Sequence, residues 1–224
     1  MANDSLTYPW SNPDLHNCQQ CPRLSNFLQA VRTQHPDYHA RPVSAFGDAH
    51  AKLLIVGLAP GMHGANRTGR PFTGDYAGIL LYQTLHRFGF ATRSESVSAD
   101  DRLQLPGCRI TNAVKCLPPE NKPIPQEIKR CNQYLKAEMK VFIENGGMAV
   151  LALGTVAHQA TLMSLQLKLK DYPFAHGIIH HLPLRNGLKL YDSYHCSRYN
   201  TQTKRLTPEM FKSVFDKIVA DINL

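Results

Sequence analysis

The chain has 224 residues, of which 43% are hydrophobic and 19% charged, and it carries a formal net charge of +8. That balance is ordinary for a soluble globular protein. No apolar run approaches the ~20 residues of a membrane span, and the start, Met1-Ala-Asn-Asp-Ser-Leu6, lacks the basic and apolar regions of an export signal. The expectation is one domain over residues 1–224, cytoplasmic, with no membrane contact and no disulfide framework. A pI near 9.2 favours a polyanionic partner, although a solvated basic surface gives the same count.

Residues 1 to about 50 read as irregular, punctuated by Pro9, Pro13, Pro22, Pro36 and Pro42, with one short helix expected from about Leu24 to Thr33. Lys52 to Gly57 reads as a buried strand, and Tyr76 to His86 has apolar positions at helical spacing. A polar stretch from Ser94 to Gln104 leads to a second strand, Arg109 to Val114. Pro118 to Pro123 must be loop. Gln126 to Asn145 has helical period and ends at Gly146-Gly147, a C-cap signal. Met148 to Leu153 is a third buried strand, followed by a helix from Gly154-Thr155 to about Leu169. His176 to Leu182 and Lys189 to Tyr194 read as further strands. Thr207-Pro208-Glu209 opens a closing helix to about Ile222. Strands alternating with helices predict an α/β fold, a mostly parallel central sheet with helices on both faces.

The loop after the first strand, Gly57 to Asp75, reads GLAPGMHGANRTGRPFTGD. It sits where open α/β sheets build their sites. Its glycines let the backbone approach a ligand. Arg67 and Arg70 add positive charge, Asn66 an amide, Phe72 a flat apolar face and Asp75 a carboxylate. Those groups together suit a nucleotide. Phe72 could instead be a core side chain, and Asp75 immediately precedes a helix and could be its N-cap.

Cys18 and Cys21 form a CxxC, and Cys116 and Cys131 follow with fourteen residues between them. Four soft thiolates suit a tetrahedral zinc or a cubane iron–sulfur cluster, and the spacing does not choose between them. Buried free cysteines are the plainer alternative. Cys108 is a rival ligand to Cys116, read as structural because it precedes the second strand. Farther on, Tyr194-His195-Cys196-Ser197-Arg198-Tyr199-Asn200 follows a strand and joins a hydrogen-bonding ring to groups that can grip a phosphate backbone. A lone His is more often structural.

These segments together resemble the uracil-DNA glycosylase superfamily, in its iron–sulfur branch, and most nearly the type-b (family 5) enzymes. The Gly57–Asp75 loop resembles that family's first active-site motif almost throughout. Ile110 to Pro119 resembles the segment carrying a base-contacting Asn and a cluster cysteine. The four cysteines match the cluster spacing, and Tyr194 to Ser197, with Arg205 to Met210, resembles the second motif and closing helix. The sister branch (family 4) typically has Glu where this chain has Leu58, and the family usually reads His-Pro-Ser where this chain reads His195-Cys196-Ser197.

The resemblance implies a monofunctional DNA repair glycosylase acting on double-stranded DNA that contains uracil or other deaminated bases, and working as a monomer. It implies Asp75 and His195 as catalytic groups and Gly57, Ala59, Gly61, Phe72 and Asn112 around the base. Asn66, Arg67, Arg70, Ser197, Arg198 and Tyr199 are expected on the DNA. A structural 4Fe-4S cluster is expected on Cys18, Cys21, Cys116 and Cys131, held partly by the irregular N-terminal segment. A uracil-restricted family-4 enzyme, a non-catalytic iron–sulfur nucleic-acid-binding module and a phosphate-loop nucleotidase are the alternatives; the last lacks a GxxxxGK[ST].

Overall fold

A computed structural model describes residues 14–184 and 187–222; Pro9 and Pro13 lie outside them. Six strands form one sheet: β1 (Phe46–Gly47), β2 (Leu53–Gly57), β3 (Cys108–Asn112), β4 (Ala149–Leu153), β5 (Ile179–His181) and β6 (Lys189–Ser193). Their order is β1-β3-β2-β4-β6-β5. The four central strands run parallel, and the short edge strands β1 and β5 pair antiparallel. The helices are α1 (Pro22–Gln34), α2 (Ala65–Thr68), α3 (Tyr76–Arg87), α4 (Pro125–Glu144), α5 (Thr155–Ser164), α6 (Arg198–Gln202) and α7 (Pro208–Ile222).

Every residue of β2, β3 and β4 is buried, as strands covered on both faces must be. Side chains alternate between the two faces. Leu53 and Ile55 join Leu81 and Leu85 of α3 and Phe211 and Phe215 of α7 in one core. Leu54 and Val56 join Leu135 and Phe142 of α4 and Ala157 and Ala160 of α5 in the other. A third cluster packs Leu24, Leu28 and Val31 of α1 against Cys116 and Cys131.

Where the elements depart from the sequence reading, the cause is local. Helix α1 begins at Pro22, two residues before the expected Leu24, so Cys21 is its N-cap. Helix α5 stops at Ser164 rather than near Leu169. Gln166 takes a left-handed φ of 58° and closes a Schellman turn, with Gln166 N–H donating to Met163 O and Leu167 N–H to Leu162 O. The same turn ends α4 at Gly146, where the glycine announces it. Strand β5 is three residues long because Gly177, at φ 78°, turns the chain just before it. Strand β1 and helices α2 and α6 are too short to show a period.

The chain leaves β2 toward β3 and leaves β4 toward β6, in opposite directions along the sheet. At such a switch point the connections splay apart and open a crevice at the carboxyl ends of the strands. The Gly57–Asp75 loop, Asn112 at the end of β3 and His195 just past β6 all meet there. Among the described residues, no helix is long and apolar enough to cross a membrane.

Candidate active site

A cavity of about 420 Å³ opens in this crevice, lined by Leu58, Ala59 and Gly61, by Phe72, Asp75 and Asn112, and by His195, Ser197 and Arg198. It lies in the range of small-ligand sites. A polar cavity of about 290 Å³ beside His16, Arg32 and Arg41 borders Cys18 and brings none of these groups together.

Asn112 is 3% exposed, and its Oδ1 is buried without a hydrogen-bond partner. An orphaned acceptor of this kind is costly unless something fills it. Asn112 stands opposite Gly57 in the parallel register. A Cβ at Gly57 would come within 2.6 Å of the Phe72 ring and closer still to Asn112 Oδ1, so only glycine lets these two side chains converge.

Phe72 is buried and packs with the α3–α7 core, yet it also walls the cavity, so it is a core side chain and a pocket face at once. Its φ of 55° is a sparsely populated conformation for a bulky residue, held by the surrounding loop. Its ring stacks on His195 at 5.9 Å between centroids, with the planes 27° apart.

Asp75 caps α3: its Oδ1 accepts from Gly78 N–H at 2.9 Å. Its Oδ2 faces the glycine loop, 3.7 Å from where a Cβ at Gly61 would stand and 2.5 Å from one at Gly64. Burial raises its pKa, and backbone N–H groups of Gly78 and Ala77 oppose the rise. Capping and pocket-facing thus use different oxygens of one carboxylate. His195 is half-buried at the cavity wall, and burial lowers its pKa to about 4, so its imidazole is neutral at physiological pH. Asn200 Nδ2 donates to the His195 carbonyl at 2.8 Å and ties α6 to this loop. Cys196, where the family usually has Pro, is fully buried in the same core.

The expected DNA-facing residues divide. Arg67 is exposed and fixed by an Nε bond to His63 O. Arg198 is exposed and lies over the Tyr76 ring at 5.0 Å, and Tyr199 is 70% exposed beside it. Ser197 caps α6. Arg70 and Asn66 depart from expectation. Arg70 is 4% exposed and paired with Asp101 at 2.6 Å, with further bonds to Ser96 and Thr73, so its charge is spent inside the protein. Asn66 is fully buried, its Nδ2 donating to Met62 O. Both brace the loop rather than face outward. Sequence reasoning also missed Asn121, which lines the pocket from the Pro119–Asn121 turn with a φ of 57°, and Tyr76. A Pro-Pro-Glu-Asn turn hints at an unusual backbone but not at the direction it faces.

Cys18, Cys21, Cys116 and Cys131 line one small cavity between α1, the exit of β3 and α4. Cys108 sits instead in the α3–α7 core. Among the described residues, only His158, His180 and Asp192 bring three metal-ligand atoms within 4.8 Å of one another. The thiols are therefore spread more widely than the ~3.8 Å sulfur spacing implied by zinc–sulfur bonds of about 2.3 Å in a tetrahedron.

Residues 44–219 match the Uracil DNA glycosylase superfamily. The chain belongs to this superfamily. It is 46% identical over 202 residues to the type-5 uracil-DNA glycosylase of Thermus thermophilus, covering 88% of this chain and 90% of that protein. It is 41% identical over 222 residues to the type-5 uracil-DNA glycosylase of Mycobacterium leprae, covering 96% of each. The type-4 uracil-DNA glycosylase of Archaeoglobus fulgidus is 34% identical over 118 residues, covering 52% of this chain and 50% of that protein. The type-5 likeness thus spans the crevice and the cysteines, while the likeness to the Archaeoglobus type-4 enzyme covers about half the chain. Within the superfamily, Leu58 makes this wall of the pocket apolar.

Proposed function

We propose that this chain is a DNA repair glycosylase of the type-5 kind, which takes uracil, and other deaminated bases, out of double-stranded DNA and hydrolyses the N-glycosidic bond to leave an abasic site. The observation that carries the reading is the meeting of Asn112, Phe72, Asp75 and His195 in one crevice, with Asn112 Oδ1 left without a partner inside it.

A base inside a duplex is out of reach, so the nucleotide must flip out, at a cost of a few kcal/mol. Arg198, Tyr199, Ser197 and Arg67 meet the strand, and Phe72 offers the flipped base a stacking surface worth ~1–3 kcal/mol. Uracil presents an N–H donor beside two carbonyls, and Asn112 Oδ1 is free to accept from that N–H. The loop backbone at Gly57, Ala59 and Gly61 approaches the other edge.

Breaking the bond leaves positive charge on the sugar and negative charge on the base. His195, neutral, donates a hydrogen bond to the base carbonyl that gains charge. Asp75, through Oδ2, orients the attacking water and faces the cationic sugar. No lysine stands in either motif to attack the sugar, so water is the nucleophile. Leu58, apolar where a family-4 enzyme has Glu, leaves that wall without a group restricting the pocket to uracil.

The gathering of four thiols around one cavity supports a 4Fe-4S cluster on Cys18, Cys21, Cys116 and Cys131. When bound, it cross-links α1, the β3 exit and α4 and serves structure, since four thiolates leave no open position. Single-turnover release of uracil from a duplex with one deoxyuridine tests the function. Release that persists in Asn112→Ala would detach Asn112 from base reading.

A further inference from the structure

Asn112 is held in place by more than its strand. Lys115 is fully buried, and its Nζ donates to both carboxylate oxygens of Glu138, at 2.9 and 2.7 Å. It also donates to Thr111 Oγ1. Thr111 Oγ1 in turn donates to Glu138 Oε2 at 2.8 Å. The three side chains close a ring, with both charged groups paired and buried.

The ring grips residues 111 and 115, which bracket Asn112. Between the two grips, Ala113 N–H donates to Gly57 O and Val114 N–H to Leu58 O, so the same short segment also anchors the start of the glycine loop. At its far end, Lys115 N–H donates to Cys131 Sγ at 3.2 Å, and Cys116 follows at once. The stretch from Thr111 to Cys116 therefore runs from the base pocket to the cysteine cavity. Hydrogen bonds hold it at both ends.

We infer that the Thr111–Lys115–Glu138 ring is a positioning device for Asn112: it sets where the amide stands in the pocket and hence how well a flipped uracil is told from a normal base. This rests on the proposed glycosylase reading. A buried ion pair is weak evidence for stability, because replacing both partners by apolar groups is often neutral. A role in placement is a better account of why two buried charges are kept here, between the base pocket and the cysteine cavity.

The mildest test cuts the ring at Thr111. Thr111→Val keeps the shape and removes the hydroxyl; Thr111→Ser restores it. Single-turnover uracil release, melting temperature and visible absorbance are measured on each holoprotein. Affinity is also measured for a duplex carrying non-cleavable 2′-fluoro-deoxyuridine, relative to the same duplex carrying thymidine. Thr111→Val should slow release about tenfold and lower the affinity ratio by a similar factor. Absorbance and affinity for the thymidine duplex should not change. Thr111→Ser should recover both. Lys115→Met combined with Glu138→Met should repeat the Val result if it folds, and the Thr111 pair decides if it does not. Wild-type rate and affinity ratio in Thr111→Val would overturn the inference even though the enzyme excises uracil. Failure of the wild-type chain itself to release uracil would instead overturn the glycosylase reading, and the affinity ratio would still report on Asn112.

Discussion

The rings of Phe72 and His195 stack 5.9 Å apart, although one belongs to the loop after β2 and the other to the loop after β6. Both rings line the crevice, and the Phe72 ring also comes close to Asn112 across Gly57. On the proposed reading, a neutral imidazole thus stands beside the ring that would stack on a flipped base. On that reading, moving either loop would separate the group proposed to hold the base from the group proposed to stabilise its departure.

Asp75→Asn separates catalysis from capping. Asn caps helices about as well as Asp, so α3 should keep its N-terminus and the melting temperature should hold. The carboxylate that faces the loop is lost, and base release should slow by ~10²–10⁴. Single-turnover rates with melting curves check this; an unimpaired rate would take the carboxylate out of the mechanism.

His195→Ala should slow base release by ~10²–10³, the effect of removing one oxyanion-type donor. It also has a signature in stability. Burial holds the folded imidazole at about 4, against an ordinary value of about 6.5. Below pH 6.5 the unfolded chain takes up a proton that the folded site refuses, so wild-type stability falls as pH drops from 6.5 to 4, by up to about 3 kcal/mol. Denaturant titrations at pH 7.5 and pH 4.5 should show a smaller loss in His195→Ala than in wild type.

The pH profile of base release follows from the same groups. Because His195 stays neutral, no acid limb should appear near pH 6.5. The limb should lie lower, where Asp75 takes a proton, and above the ordinary carboxylate value because burial raises it. Rates from pH 4.5 to 8 on duplex substrate measure it.

Much of this was legible in the sequence, for reasons tied to particular residues. Leu53 to Gly57 is apolar without a break because both its faces are covered, and Thr207-Pro208 marks the start of α7 by cap chemistry. The partners of charged side chains were not legible. Arg70 lies in the same motif as Arg67, yet one turns inward to Asp101, from the polar Ser94–Gln104 stretch, and the other outward. Nothing in local spacing distinguishes them, since the deciding partner lies thirty residues away. The sequence assigns Lys115 no role for the same reason, because its partner Glu138 reaches it from α4.

Arg70 and Arg67 should therefore behave differently. Arg67→Ala or Arg198→Ala should each reduce the negative slope of log affinity against log salt by about 1. Arg70→Ala should leave the slope alone and destabilise the fold by ~3–5 kcal/mol, because it strands Asp101. Binding titrations across salt, with melting curves, separate the two.

Purified protein should be brown and contain iron. Substituting Cys18, Cys21, Cys116 or Cys131 by Ser should cost iron and stability together, while Cys108→Ser should keep the iron content. Zinc-loaded, colourless and active protein would overturn the cluster.

The central claim is that this crevice cuts the bond between uracil and deoxyribose in duplex DNA. The most direct measurement is mass analysis of the products after excess protein meets a duplex with one deoxyuridine. Free uracil and an unbroken strand bearing an abasic site, cleaved only on alkali treatment, are the predicted result. An unchanged deoxyuridine strand, with iron-loaded protein bound to the duplex, would contradict it.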